Sequence, residues 1–382
     1  MKRSCQHIRW WIGSMLLLLL SACSGDDATS PVTAEAATLL DIGVQTPGLS
    51  VLTRAGNIDA IGDENMITSL QIWVFETGTN TLVSYLEPTD FPTTTEDKVY
   101  QTNVSSAYAN KNPRPNVDVY VLANAASVGL ASGDKALTEN ATRTQLEAAV
   151  IGDSYFGPQT TIPTEGLPMS GVLRNKALAG KTNKPVLRIT SYDNMEKVPL
   201  KRAVSKVRFV FCKPSGVELH IQGVSISANM IPSEEYVFLG TDGRAFRVGS
   251  SYNADAISLL DSPMNDIAVC SDPSKYFYTS QDAQEYEDLI NSGVSAATPE
   301  LTPAGPFYFR ESDKKVSGTI TYNIGEGSPS TATFSMQASG DFSRNRSWIV
   351  YAYYEGLSGM QTNVVEVTPW NETERNHEVY NW

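Results

Sequence analysis

The chain has 382 residues, of which 41% are hydrophobic and 19% charged, with 27 glycines and 20 prolines. That balance excludes a disordered or fibrous chain and suits two ordinary globular domains rich in turns. The formal charge of −13 excludes nucleic acid and anionic lipid headgroups as partners of the body, because a polyanion of that size repels both.

Residues 1–22 read as a signal segment. Lys2, Arg3 and Arg9 give a basic start, and an apolar run follows over residues 10–20. The run is shorter than the about 20 apolar residues a membrane span needs. It ends in Leu20-Ser21-Ala22-Cys23, which is similar to the lipobox of bacterial lipoproteins, where small residues fit the signal peptidase and the thiol takes a diacylglycerol. Cys23 is therefore the candidate lipid-attachment site; an ordinary secretory signal with an incidental Cys is the alternative. Cys5 falls within the signal, so Cys212 and Cys270 remain, in an oxidising compartment where a disulfide persists. Their spacing leaves a disulfide and two separately buried thiols both open.

Residues 24–38 are a small, polar tether. In residues 39–53, Leu40, Ile42 and Val44 alternate with polar or small residues, Pro47-Gly48 makes a turn, and Val51 and Leu52 resume the extended character. This is a first strand, bent at the turn. The Arg54–Ala55 bond follows in a polar, Gly-containing setting that a protease can enter. Residues 70–75 form a strand with Leu70, Ile72 and Val74 on one face and Trp73 and Phe75 on the other. Gly78 and Asn80 turn it towards residues 82–86, and residues 117–122 alternate strictly. Residues 144–152 read as a short helix, with a capping box from Thr144 to Glu147 and a stop at Gly152. Residues 167–171 fall in a loop.

A strand over residues 198–211 puts Val207, Phe209 and Phe211 inward and Lys206 and Arg208 on a basic outer edge. A domain boundary is placed near its start. Thr241-Asp242-Gly243 is a hairpin signal between residues 235–239 and 244–248. Residues 250–305 are an irregular insert with a short helix over 282–291. Strands follow at 316–322, 332–336 and 347–354, the last apolar throughout, as expected where both faces are covered. Residues 363–367 give a further strand, Pro369 interrupts, and the tail ends in strand formers. The expected fold is all-β: two tandem β-sandwich domains with a few short helices, after a signal (1–22) and a tether with the first strand (23–54). The N-terminal sandwich is placed at 55–198 and the C-terminal one at 199–382.

Residue patterns for chemistry are lacking. His220 lies in strand-like sequence and His377 in the polar tail, with no Gly-x-Ser-x-Gly. No metal spacing and no Gly-rich phosphate loop occurs. No enzyme activity, metal or cofactor is expected.

Taken in order, the chain resembles the fimbrillin family, the lipoprotein pilins of Gram-negative surface fimbriae. The resemblance rests on Leu20-Ser21-Ala22-Cys23, Thr53-Arg54-Ala55, the strand over 70–75 with its hairpin, Tyr120-Val121-Leu122-Ala123-Asn124-Ala125, Pro168-Met169-Ser170-Gly171, the segment 200–207, and the last strands at 348–354 and 364–370. It implies two transthyretin-like (Greek-key) sandwiches, export as an outer-membrane lipoprotein, and cleavage by an arginine-specific protease. It further implies polymerisation with other fimbrial subunits by strand exchange, in support of adhesion and biofilm. Carried onto this chain, Cys23 takes the lipid, Arg54 and Ala55 flank the cleaved bond, and Leu40, Ile42, Val44, Val51 and Leu52 fill the removable strand. The donor strand is sought among Val364, Val365, Val367, Trp370, Val379, Tyr380 and Trp382. A tip or accessory adhesin meeting a host or bacterial surface ligand is the alternative, suggested by Tyr252, Tyr276, Tyr278 and Tyr286 in the insert. An anchor that keeps its lipid is the other.

Overall fold

A computed structural model of the chain describes residues 38–47, 64–93, 97–152, 162–180, 186–191, 194–245, 250–271, 301–336 and 342–367. Strands β1 to β12 make the first half of the architecture: β1 (Leu39–Gln45), β2 (Leu70–Glu76), β3 (Leu82–Leu86), β4 (Lys98–Asn103), β5 (Val117–Ala123), β6 (Val150–Gly152), β7 (Met169–Lys176), β8 (Leu178–Gly180), β9 (Val186–Ser191), β10 (Asn194–Met195), β11 (Lys197–Pro199) and β12 (Lys201–Arg202). One sheet runs β10-β9-β1-β11, with β4 also on β1 and β8 also on β9; the other runs β12-β7-β5-β2-β3. Between them lies a core in which Leu40, Ile42 and Val44 meet Leu70, Ile72, Val74, Val119 and Val121. The period-two pattern of β2 explains why it is buried on both faces. Its odd-numbered aromatics, Trp73 and Phe75, enter a second cluster on the other side of the sheet, with Tyr120, Leu146, Val237, Phe238 and Tyr308.

The second half holds β13 (Ser205–Cys212), β14 (Leu219–Ile226), β15 (Glu234–Tyr236), β16 (Ile257–Ser258), β17 (Thr302–Phe309), β18 (Ser317–Ile324), β19 (Ser330–Ser335), β20 (Ser347–Tyr354) and β21 (Met360–Val367). A sheet of order β17-β13-β20-β21 and another of order β16-β14-β18-β19 enclose a core built on Phe209, Phe211, Ile221, Ile320, Phe334 and Trp348. A two-stranded ladder of β6 with β15 ties the halves together. The expected all-β sandwich architecture is the one observed.

Several local expectations need correction. The helix is α2 (Arg143–Ala148), after α1 (Ser106–Ala109), and its capping box runs from Thr142 to Gln145, not from Thr144. Ala149 turns extended, and Gly152 ends a strand instead of a helix. Residues 169–171 open β7 instead of a loop, paired with β12, and the Ser170 hydroxyl donates to Val237 O at 2.6 Å. The turn at 241–243 forms, with Gly243 at φ +76° and Gly240 N–H bonded to Arg244 O at 2.7 Å. Its first arm, however, takes its ladder from β6. Strand β13 is not a basic edge: it lies between β17 and β20, and Lys206 and Arg208 are buried. Period-two alternation shows only that they face away from the core, and here a second layer covers that side. Cys212 and Cys270, whose pairing the sequence leaves open, are both buried, in a small cluster with Val210, Leu301, Ile349 and Tyr351. His220 bridges Asn265 and Glu218, a structural arrangement on a strand. The helix expected over 282–291, and His377, lie outside the described residues.

The layer over β13 is polar. Lys206 Nζ lies 3.3 Å from Glu64 Oε1, and Tyr308 donates to the same oxygen at 2.8 Å. The Arg202 guanidinium bonds the Glu64 carbonyl, Asn65 and Asn345. Nearby, Arg344 reaches Glu235 at 3.3 Å and Glu311 at 3.6 Å, while the Glu311 N–H donates to Glu235 Oε2 at 2.6 Å. Burial raises the Glu235 carboxyl to about 8, against the pull of Arg344 and with the help of Glu311. The folded protein therefore holds a proton there that the unfolded chain releases at an ordinary carboxylate pH, so stability is greatest below that pH and is lost as pH rises through about 8. Glu235→Gln, which keeps the acceptor for Glu311, is expected to flatten this decline in denaturant midpoints taken between pH 5 and 8; an unchanged slope would show that the carboxyl does not titrate in that window.

Candidate functional site

Strand β1 is held along both edges. On one side it pairs antiparallel with β4, from Leu39 opposite Asn103 to Val44 opposite Lys98. On the other it pairs parallel with two strands in succession, residues 39–41 with β9 and 43–45 with β11. Bonds at its ends close the fit: Val104 N–H to Thr38 O and Leu200 N–H to Gln45 O, both 2.8 Å. Among the described residues, β4 has β1 as its only ladder partner. Leu40, Ile42 and Val44 are fully withdrawn from water, a gross stabilisation on the order of 6 kcal/mol at about 1.5–3 kcal/mol per side chain.

The outward face of β1 is also specified. Asp41 is only 5% exposed. Gln101 of β4 donates to its Oδ1 at 2.9 Å and Arg188 Nε of β9 to its Oδ2 at 3.0 Å. Two residues on, the space over Gly43 is taken by side chains: a Cβ would stand 2.8 Å from Lys197 Cγ and from Met195 Cε. The sequence reading selected the inward residues and missed this face. A carboxylate inside an apolar alternation was the available signal, but its partners lie 60 and 147 residues away and only the register brings them together.

The remaining candidates are distributed differently. Cys23, Val51, Leu52, Arg54, Ala55, Trp370, Val379, Tyr380 and Trp382 lie outside the described residues. Val364, Val365 and Val367 belong to β21, an edge strand whose ladder partner is β20, with Val364 opposite Val350 and Val367 opposite Ser347. A groove between β19 and β21, about 480 Å³, is lined by Ser317, Thr333, Phe334, Thr362, Asn363 and Val364.

Elsewhere the loop after β5 is fixed by Asn124, at φ +59°. Its amide donates to Met66 O and Leu167 O and its Oδ1 accepts from Thr68 N–H, at 2.7–2.8 Å. Gly166 completes this junction, for a Cβ there would meet Asn124 Nδ2 at 2.4 Å.

Residues 49–206 match the family model of the major fimbrial subunit protein (FimA). The match is to the fimbrial subunit family. The match spans 158 of the 382 residues and agrees with the fimbrillin resemblance read from the sequence. No curated protein matches the chain. Solved structures with a similar fold include a candidate cell adhesion protein from Parabacteroides distasonis ATCC 8503, 16% identical, covering 87% of this chain and 98% of that one with a TM-score of 0.51. Others are a candidate cell adhesion protein from Bacteroides eggerthii DSM 20697 (14% identity, 86% and 95% covered, TM-score 0.45) and the C-terminally truncated tip fimbrial protein Mfa3 from Porphyromonas gingivalis (12%, 86% and 99%, 0.43). The first of these carries the fold comparison.

With Ile42 buried in the core of the first sandwich, Ile42→Ala should cost about 2–5 kcal/mol through the cavity it leaves. Val99→Ala, at a side chain 53% exposed on the neighbouring strand, should change stability by less than about 0.5 kcal/mol. Urea unfolding of the uncut chain measures both.

Proposed function

We propose that the chain is a fimbrial subunit that is exported as a lipoprotein on Cys23, cut between Arg54 and Ala55, and polymerised by strand exchange at the cell surface. The observation that carries this reading is the position of β1. A strand N-terminal to the proposed cut supplies three side chains to the core and is the ladder partner of β4. Losing it opens an apolar slot with unpaired backbone on both sides, which a strand of a neighbouring subunit refills by β-augmentation. Such a contact is head-to-tail, so its repetition extends a filament without closing a ring. The two sandwiches, divided near residue 198, serve as body and donor-bearing module, and the donor segment begins after about residue 363. Strand β21 is suited to begin that segment, being an edge strand tied to the sheet by one ladder.

Charge is compatible with the scheme. Loss of Lys2, Arg3 and Arg9 with the signal takes the chain from −13 to −16, and loss of Asp26, Asp27, Glu35, Asp41 and Arg54 with the cut piece returns it to −13. The polymerising body then resists lateral clumping. Its partners are other fimbrial subunits, an arginine-specific protease and, before the cut, the outer membrane.

Arg54→Ala is expected to leave a lipid-bound monomer and no fibre, while sheared surface material from the unaltered chain should begin at Ala55 by mass spectrometry. Abundant fibres from the Arg54→Ala chain would rule out the trigger.

A further inference from the structure

We propose that the slot occupied by β1 carries a sequence requirement of its own: it accepts a strand of a neighbouring fimbrial subunit in which an acidic residue stands between two apolar ones, followed by a small residue. The inference rests on the strand-exchange reading and specifies which strand that site takes.

The apolar part of the requirement comes from the core. Leu40, Ile42 and Val44 point inward at every second position, so any replacement must repeat that spacing. The acidic part comes from the strands that stay behind. Arg188 on β9 and Gln101 on β4 flank the slot from opposite sides and both donate to Asp41, one to each carboxylate oxygen. When β1 leaves, the guanidinium and the amide lose their common acceptor. A strand that enters in the same register with Asp or Glu at this place restores both bonds; an apolar residue leaves a charge without a partner, and Lys sets two cations together. The small residue comes from the crowding over Gly43 by Lys197 and Met195. Both are flexible side chains, so a modest side chain fits after they shift and a bulky one does not.

The chain contains such a run in the segment proposed as donor. Leu40-Asp41-Ile42-Gly43 is apolar, acidic, apolar, small; Val365-Glu366-Val367-Thr368 repeats the order. The occupant argued for is therefore the terminal segment of a fimbrial subunit built like this one, a second copy included.

The experiment cuts the full chain after Arg54 with an arginine-specific protease and challenges it with labelled peptides of residues 38–47, in native form and as Asp41→Asn and Asp41→Lys. The native peptide is expected to enter the slot. The Asn form should bind about tenfold more weakly, as for loss of a charge-assisted hydrogen bond, and the Lys form more weakly again. In an Arg188→Glu chain the order should reverse, with the Lys peptide preferred. Equal entry of all three peptides into the unaltered chain would overturn the sequence requirement and leave strand exchange standing. Failure of the native peptide to enter at all would overturn strand exchange, and the requirement with it.

Discussion

Backbone pairing along β1 is the constraint on which the first sandwich depends. A strand at the edge of a sheet can be lost with one ladder; β1 is interior and is laddered along both edges. It connects β4 to β9 and β11, three segments that share no other ladder with one another among the described residues. Its inward side chains seal the core against the facing sheet, and Asp41 draws Gln101 and Arg188 across the outer face. Hydrogen bonding, apolar burial and charge therefore converge on seven residues that lie before the proposed cut.

The junction between the two halves follows a different logic. Its apolar part is ordinary packing around Tyr120, Phe238 and Tyr308. Its polar part buries Glu64, Lys206, Arg202, Glu235, Glu311 and Arg344. Buried ions add little net stability, but removing one partner is costly, because the other is left charged in a dry setting. Glu64 belongs to it and follows the proposed cut in sequence, so the network lies wholly within the part of the chain that remains.

How much of this was legible in the sequence varies with the range of the interaction. Strands such as β2 and β5 were plain because β-branched and aromatic residues recur with period two over six residues or more, and β20 because its run is apolar throughout. The inward set Leu40, Ile42 and Val44 was plain for the same reason. The cap of α2 was displaced by two residues because Thr142 and Thr144 both offer a hydroxyl, with Gln145 and Glu147 three places on; Thr142 takes the bond. Lys206 and Arg208 were misplaced because alternation reports a face without saying what covers it. The clamp on Asp41 was invisible for a deeper reason: β1 meets strands from residues 98–103 and 186–199, and pairing over such separations leaves no local mark.

The mixed pairing of β1 has one more implication. One bank of its slot runs with the strand and the other against it. A segment entering tail-first would find both banks the wrong way round, its amides and carbonyls out of phase with those awaiting them. Under the proposed strand exchange, the opening is thus an arrow as well as a gap, and a fibre grown through it would inherit a built-in heading from the first joint onward.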